Sequence, residues 1–358
     1  MPTPQEILEA LKGVRYPGFT RDIVSFGLVR DVEVSSAGVT VRLAPSTAKE
    51  EIVQQIEAAV QAAVAGMPGT TGEVHITREP APAARGPRGP QPIPGVEAVI
   101  AVASGKGGVG KSTVATNLAL ALATLRPQIG LMDADVYGPS VPLMLGITEK
   151  ARSSEGKRLE PAERHGLRVI SMGMFVAEQT PIIWRGPMLT KLITEFLRNC
   201  DWGPLDLLVI DLPPGTGDVQ LTLSQQLPLS GGIIVTTPQD VALADVRRGI
   251  QMFREVKAPV LGLVENMSYH VCPGCGARTD IFGHGGGAEM ARQFDIPLLG
   301  EVPLIRALRE TSDQGTPLVV AQPSHPVSRA FREIAERVLV RLTEASRETS
   351  GATLRVLP

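Results

Sequence analysis

The segment Gly105-Lys106-Gly107-Gly108-Val109-Gly110-Lys111-Ser112-Thr113 restricts the fold of this 358-residue chain more than any other. It follows the apolar run AVIAVAS and opens a helical pattern, STVATNLALALATL. Residues 105–112 match G-x-x-x-x-G-K-[ST], a turn whose glycines let backbone N–H groups converge on phosphate oxygens. The positive end of the following helix dipole adds to that attraction. Such a loop needs a buried strand before it and a helix after it, so one βα unit is already placed. In this reading residues 105–113 cradle a nucleotide. Lys111 reaches its β- and γ-phosphates, and the Ser112 hydroxyl ligates Mg2+.

Further apolar runs repeat the pattern. IGLMDAD, LDLLVIDL, GGIIVTT and VLGLVEN are near-continuous strand-like stretches, as expected where helices cover both faces of a sheet. Val327, Phe331, Ile334 and Val338 mark a final amphipathic helix. Together they predict an α/β P-loop NTPase fold with a mostly parallel, doubly wound sheet over residues 96–345. Residues 1–78 read as helix, strand, strand, helix, strand, a small α+β domain. Its signals are Ile7, Leu8 and Leu11, then SFGLVRDVEV and GVTVRLA, then Ile52, Ile56, Ala59, Val60 and Ala63, then GEVHIT. Between the two lies EPAPAARGPRGPQPIPG, residues 79–95, whose six prolines and three glycines predict an extended linker. Residues 346–358 are left as a tail.

Composition narrows the function. Thirty-five Lys+Arg against 37 Asp+Glu leave a formal charge of −2, and aromatics are 4%. Neither a basic field nor a supply of stacking rings recommends a nucleic acid or an anionic membrane as partner. The N-terminus lacks the charged and apolar regions of a secretory signal, and no apolar run approaches the ~20 residues of a membrane helix. A cytoplasmic location is expected. Three cysteines cannot form a disulfide framework.

Two strand ends carry carboxylates suited to the phosphate loop. Leu207-Leu208-Val209-Ile210-Asp211 ends an apolar strand on the acid expected to hold hydrated Mg2+. Pro213-Pro214-Gly215-Thr216-Gly217 follows it. Met132-Asp133-Ala134-Asp135-Val136-Tyr137-Gly138-Pro139 closes another strand with two acids, either of which could instead cap a neighbouring helix.

His270-Val271-Cys272-Pro273-Gly274-Cys275-Gly276 is the second informative segment. A C-x-x-C turn flanked by Gly and Pro brings two sulfurs to one point, as metal–thiolate chemistry requires. The chain has no second such pair, and Cys200 lies far away in a helix-like segment, where it reads as an inert buried thiol. A four-thiolate site therefore needs two chains. A redox dithiol and a structural zinc shared between subunits, with or without His270, remain open on these residues alone.

GKGGVGKST with its extra Lys106, the DADVYGPS segment and VIDLPPGTGD resemble the deviant Walker A class. That class includes ParA, MinD, the nitrogenase iron protein and the tail-anchored-protein targeting ATPase. The resemblance implies that Lys106 reaches a partner's nucleotide across a dimer and that Asp135 orients the attacking water, with Asp133 nearby. It also assigns Ser112 and Asp211 to Mg2+ and gives Asn266, in LVENMS, a contact with adenine. CPGCG followed by DIFGHGGG resembles, within that class, the Mrp/ApbC-type iron–sulfur cluster carriers over residues 96–345. The likeness implies a homodimer that binds ATP, hydrolyses it slowly and bridges a [4Fe–4S] cluster through Cys272 and Cys275. It further implies a scaffold or donor that loads the cluster and apo-proteins that receive it. Residues 1–78, with LVRDVEV, resemble the small domain of iron–sulfur assembly factors. Where some members of that domain carry a cysteine, this chain has Ala44-Pro45-Ser46-Thr47-Ala48, and the unit has no cysteine at all.

The rival within the class is a targeting or positioning ATPase with zinc at the shared C-x-x-C. ParA relatives need a basic DNA-binding face, and MinD relatives need an amphipathic membrane helix at the C-terminus. TEASRETSGATLRVLP is mixed in charge and suits neither. The targeting ATPase needs a long Met-rich apolar insertion, and no comparable stretch occurs.

Overall fold

The alternation of apolar strands and helices resolves into two main sheets, one in each of two units, residues 1–88 and 89–358. The computed structural model describes residues 2–15, 17, 22–25, 27–35, 38–44, 50–70, 73–78, 90–135, 138–153, 158–175, 186–215, 220 and 224–350. Most of the Pro-rich segment (79–89), Pro45–Ala48, Val136, Tyr137, Thr216–Asp218 and residues 351–358 lie outside these.

In the first unit the helix Pro4–Leu11 starts on a reciprocal cap: the Glu6 amide donates to Thr3 Oγ1, and the Thr3 amide donates to Glu6 Oε2. Strands β1 (Val29–Ser35) and β2 (Gly38–Leu43) pair antiparallel, and β3 (Glu73–Arg78) adds in parallel to β2. The helix Glu50–Ala65 supplies the crossover that a parallel pair requires. Ile7 and Leu11 from the first helix and Ile56, Val60 and Val64 from the second bury against Val39, Val41 and Leu43.

The second unit holds an eight-stranded sheet. Its strands in chain order are β4 (Val96–Ala103), β5 (Ile129–Asp133), β8 (Ala162–Arg164), β9 (Leu167–Ser171), β10 (Leu205–Asp211), β11 (Gly231–Thr236), β12 (Val260–Asn266) and β15 (Leu298–Val302). Two short hairpins complete the numbering: β6 (Arg152–Ser153) with β7 (Leu159–Glu160), and β13 (His270–Val271) with β14 (Arg278–Thr279). Across the sheet the order is β15-β12-β11-β4-β10-β5-β9-β8, parallel throughout except for β8 at the edge. Sequence reasoning missed β8 because Ala-Glu-Arg is short and polar. The apolar runs are continuous for the expected reason. Ile100, Val102, Leu207 and Val209 face the helices Lys111–Ala123 and Pro326–Ser350, while Val99, Ala101, Leu208 and Ile210 face Gly186–Arg198 and Asp240–Glu255.

Two boundaries differ from the sequence reading. Ile93 is buried with Trp202 and Leu205, and the Leu205 amide donates to the Gly95 carbonyl, so the last residues of the Pro-rich segment pack onto the second unit. The last helix runs to Ser350, because Arg, Glu and Ser after Ala345 continue it without a breaker. No helix among the described residues is long and apolar enough to cross a membrane.

Parallel pairing sets the carboxyl ends of β4, β5, β10, β11 and β12 along one edge, where an open α/β sheet places its ligands. Val102 of β4 pairs with Asp211 of β10, and Asp211 in turn pairs with Asp133 of β5.

Candidate functional site: a phosphate loop and a cysteine knuckle

The loop after β4 turns on glycine. Gly108 and Gly110 take φ of +84° and +77°, a left-handed region costly for other residues. A Cβ on Gly110 would also stand 2.3 Å from Asn266 Nδ2. The helix then starts at Lys111 with its first amides directed at the loop.

Lys111 is 5% exposed and pairs through Nζ with Asp211 Oδ1, while Asp135 Oδ2 lies 3.9 Å away. Its Nζ also donates to Ser112 Oγ over 3.4 Å. Asp211 and Asp133 are fully buried. Burial raises the Asp211 carboxyl above the usual carboxylate range, against the pull of Lys111 and Ser112. Burial and the neighbouring Asp211 push Asp133 up to about 7. Asp133 Oδ2 accepts from Ser171 Oγ at 2.8 Å and Oδ1 from the Asp135 amide at 3.0 Å, which shapes the turn after β5. Asp135 Oδ1 accepts from the Gly138 amide at 3.3 Å. Asp211 Oδ2 is buried and accepts from no group among the described residues. A buried carboxylate oxygen without a donor, next to the Ser112 hydroxyl, is a donor set that fits hydrated Mg2+.

The remaining site residues converge from other strands. Lys106 is half-buried and donates to Gln239 Oε1 of its own chain at 3.3 Å, while its carbonyl accepts from Ser104 Oγ. Asn266, at the end of β12, donates Nδ2 to the Val109 carbonyl at 2.8 Å. Sequence reasoning missed Ser171 and Gln239, whose parts depend entirely on sheet order and on where a neighbouring helix begins.

Cys272 and Cys275 sit on the turn between β13 and β14. The Cys272 amide donates to the Ala277 carbonyl, the Gly276 amide donates to the Cys272 carbonyl, and Gly276 takes φ of +73°. The amides of Cys275 and Gly274, and the Cys275 thiol, donate to the Cys272 sulfur and hold its pKa below the ordinary thiol value. A sulfur that accepts backbone N–H groups is prepared to be a thiolate ligand. Cys275 is exposed and Cys272 half-buried. His270 turns away, its Nδ1 donating to the Leu304 carbonyl at 3.0 Å. No group of three or more His, Cys, Asp or Glu among the described residues could hold a metal ion.

Cys200 is 7% exposed beside Phe196 and Trp202, and burial pushes its thiol up to about 12. Only the thiolate reacts. In the metal-free folded protein a disulfide reagent near neutral pH is expected to modify two of the three thiols, and the third only after unfolding. Rapid native-state modification of all three would contradict the burial of Cys200.

Comparison with known proteins covers both units. The model of the ParA family, described as NUBPL iron-transfer P-loop NTPase, matches residues 95–339, and that of the iron-sulfur cluster assembly protein family matches residues 4–76. An iron-sulfur cluster carrier protein of Synechocystis is 43% identical over 356 residues, covering 97% of this chain and 99% of that one. The iron-sulfur cluster transfer protein NUBPL of Dictyostelium discoideum is 50% identical over 252 residues, 70% of this chain and 78% of the relative. Among solved structures, a nucleotide-binding protein of Archaeoglobus fulgidus in complex with ADP is 40% identical, with a TM-score of 0.58 over 66% of this chain and 92% of that one. The cell division ATPase MinD of Pyrococcus furiosus, at 22% identity and a TM-score of 0.52 over 68% of this chain and 98% of that one, shares the fold.

Proposed function

The chain belongs to the ParA family of iron-transfer P-loop NTPases, and from that premise we propose that it is an ATP-dependent carrier of iron–sulfur clusters. In this reading it binds ATP, hydrolyses it slowly and passes a [4Fe–4S] cluster, held by Cys272 and Cys275 of two chains, to apo-proteins. The observation that carries the proposal is the cysteine knuckle. Its two sulfurs stand on a surface turn, and backbone amides already stabilise the anionic form of Cys272. Two thiolates per chain are half of a four-cysteine set, which supports a homodimer with the cluster on its axis. A cargo at an exposed turn can leave, whereas a resident redox centre is normally buried.

The nucleotide side follows from the same residues. Lys111 exchanges Asp211 for the β- and γ-phosphates when a nucleotide enters. Ser112 and Asp211 hold Mg2+, which neutralises charge on the phosphate oxygens when bound. Asp135 orients the attacking water, Asn266 contacts the adenine, and Lys106 leaves Gln239 for the partner's nucleotide.

Anaerobic absorption with iron and sulfide analysis tests the carrier reading. A brown protein with equal iron and sulfide is expected; a colourless, zinc-loaded protein would overturn the reading in favour of a zinc-bridged targeting or positioning ATPase.

The N-terminal unit, matched to iron-sulfur cluster assembly proteins, serves client or donor recognition in this scheme, since it contributes no cysteine. A chain starting at Gly89, which keeps Ile93 in the core, is expected to hydrolyse ATP and bind the cluster as the full chain does. An ATPase-dead truncation would show that the units are not independent.

A further inference from the structure

The end of β12 touches both sites. Asn266 holds the Val109 carbonyl inside the phosphate loop. Its neighbour Glu265, 1% exposed, points to the other face of the strand and accepts from the Gly287 amide at 2.5 Å. Gly287 lies in the first turn of the helix Gly286–Phe294, the next element after the returning leg β14 and joined to it by residues 280–285. A Cβ on Gly287 would stand 2.6 Å from Glu265 Oε2, so the carboxylate and that helix are in close contact.

The outgoing leg is tied down as firmly. Beyond Asn266 the Ser268 amide donates to the Val302 carbonyl at 3.0 Å, the Tyr269 carbonyl accepts from the Leu304 amide at 2.7 Å, and His270 donates to the Leu304 carbonyl. The Arg278 guanidinium stacks 4.1 Å from the Tyr269 ring centre and joins the returning leg to the outgoing one. Only five residues, 267–271, separate Asn266, whose side chain holds the phosphate loop, from Cys272. The outgoing leg is anchored to the end of β15 and to Leu304 just beyond it, and the helix that follows the returning leg is anchored to β12.

We propose that Glu265 is a positioning residue that couples nucleotide occupancy of the phosphate loop to the geometry of the cysteine pair. A displacement of Val109 by bound phosphates is felt at Asn266. Glu265, the next residue on the same rigid strand end, transmits it to Gly287 and the returning leg, while residues 267–271 transmit it to the outgoing one. Interactions of this kind connect sites only when each ligand favours a different arrangement of the shared element. This inference deepens the carrier reading and rests on it, but its test does not depend on the cluster.

The test uses the full chain, metal-free, and measures alkylation of Cys272 and Cys275 by iodoacetamide with and without Mg-ATP, with the unreacted Cys200 as the check that the chain stays folded. In the wild type the nucleotide is expected to change the rate about fivefold or more, the lower range of couplings between sites. Glu265→Ala removes the acceptor of the Gly287 amide, and Gly287→Ala displaces the carboxylate from the other side. Each is expected to abolish the nucleotide dependence while ATP affinity stays within twofold of wild type. Glu265→Gln keeps an acceptor oxygen and is expected to restore it. A wild-type rate that ignores nucleotide, or a folded Glu265→Ala or Gly287→Ala chain that keeps the full response, overturns the coupling. A protein that is isolated with zinc and, once made metal-free, still shows the response would overturn the carrier reading and leave the coupling standing.

Discussion

Chains in which both Cys272 and Cys275 are changed to alanine are expected to be colourless and free of iron and sulfide, yet to bind ATP as the wild type does. Each sulfur is a quarter of the proposed ligand set, so a single Cys→Ala change, repeated by symmetry, already leaves two thiolates where four are needed. Thiolate–metal bonds are a large part of the binding free energy of such sites, and no other His, Cys, Asp or Glu group among the described residues is arranged to replace them. ATP binding survives because the phosphate loop follows β4, whereas the cysteines sit between β13 and β14. Cys200→Ala changes neither property, since its thiol is buried and protonated. Iron and sulfide retained at wild-type amounts in the double variant would exclude the bridging arrangement.

Lys111→Ala acts on two states at once. With nucleotide, it removes a charge-assisted contact to phosphate, a loss of about 1.5–3 kcal/mol, or roughly 10- to 100-fold in Kd. Without nucleotide, it leaves Asp211 fully buried and unpaired beside Asp133. Removing one partner of a buried ion pair costs about 3–5 kcal/mol, reduced here because the carboxyls can take up a proton. The sign of the pH dependence follows. Their folded-state pKa values lie above the unfolded ones, that of Asp133 at about 7. Protonated, they favour the fold in acid, and that contribution is lost as pH rises through the folded value. The variant's deficit is therefore expected to be larger above neutrality than below it, which urea midpoints of the nucleotide-free protein would reveal. A deficit independent of pH would show that Lys111 does not neutralise this pair. Asp135→Asn is expected to separate binding from chemistry: ATP affinity stays, and single-turnover hydrolysis slows by about a hundredfold, in the range of a lost general base or water-orienting group. Hydrolysis at the wild-type rate would remove Asp135 from the mechanism.

Contacts formed within a few residues of chain were legible before any coordinates. The phosphate loop is one: Gly108 and Gly110 must adopt a left-handed turn between a strand and a helix that their own neighbours specify. The cysteine knuckle is another, since its hydrogen bonds run from residues 272 to 277. The run Leu207–Ile210 announced a strand covered on both faces, because its odd and even residues are alike apolar. The burial of Ile93 was not legible, for it turns on what that residue packs against, Trp202 and Leu205, rather than on any local signal.

What the tertiary structure alone decided is which distant groups meet. Asp211 reaches Lys111 across 100 positions because β10 inserts between β4 and β5, a sheet order that no residue in any of the three strands encodes by itself. Asn266 could be assigned to the nucleotide site from sequence likeness, but its hold on the Val109 carbonyl exists only because β12 ends level with the phosphate loop. Glu265 carried no signal, being one acid in an apolar run, until the strand buried it against Gly287. The sequence by itself determined the phosphate loop, the knuckle and the covered strands, because their contacts are short-range and repeat with the period of a strand or helix. The pairing of buried charges and the connection between the two sites depended on strand order and register, which minimise exposed apolar surface over the whole sheet and are a property of no single segment.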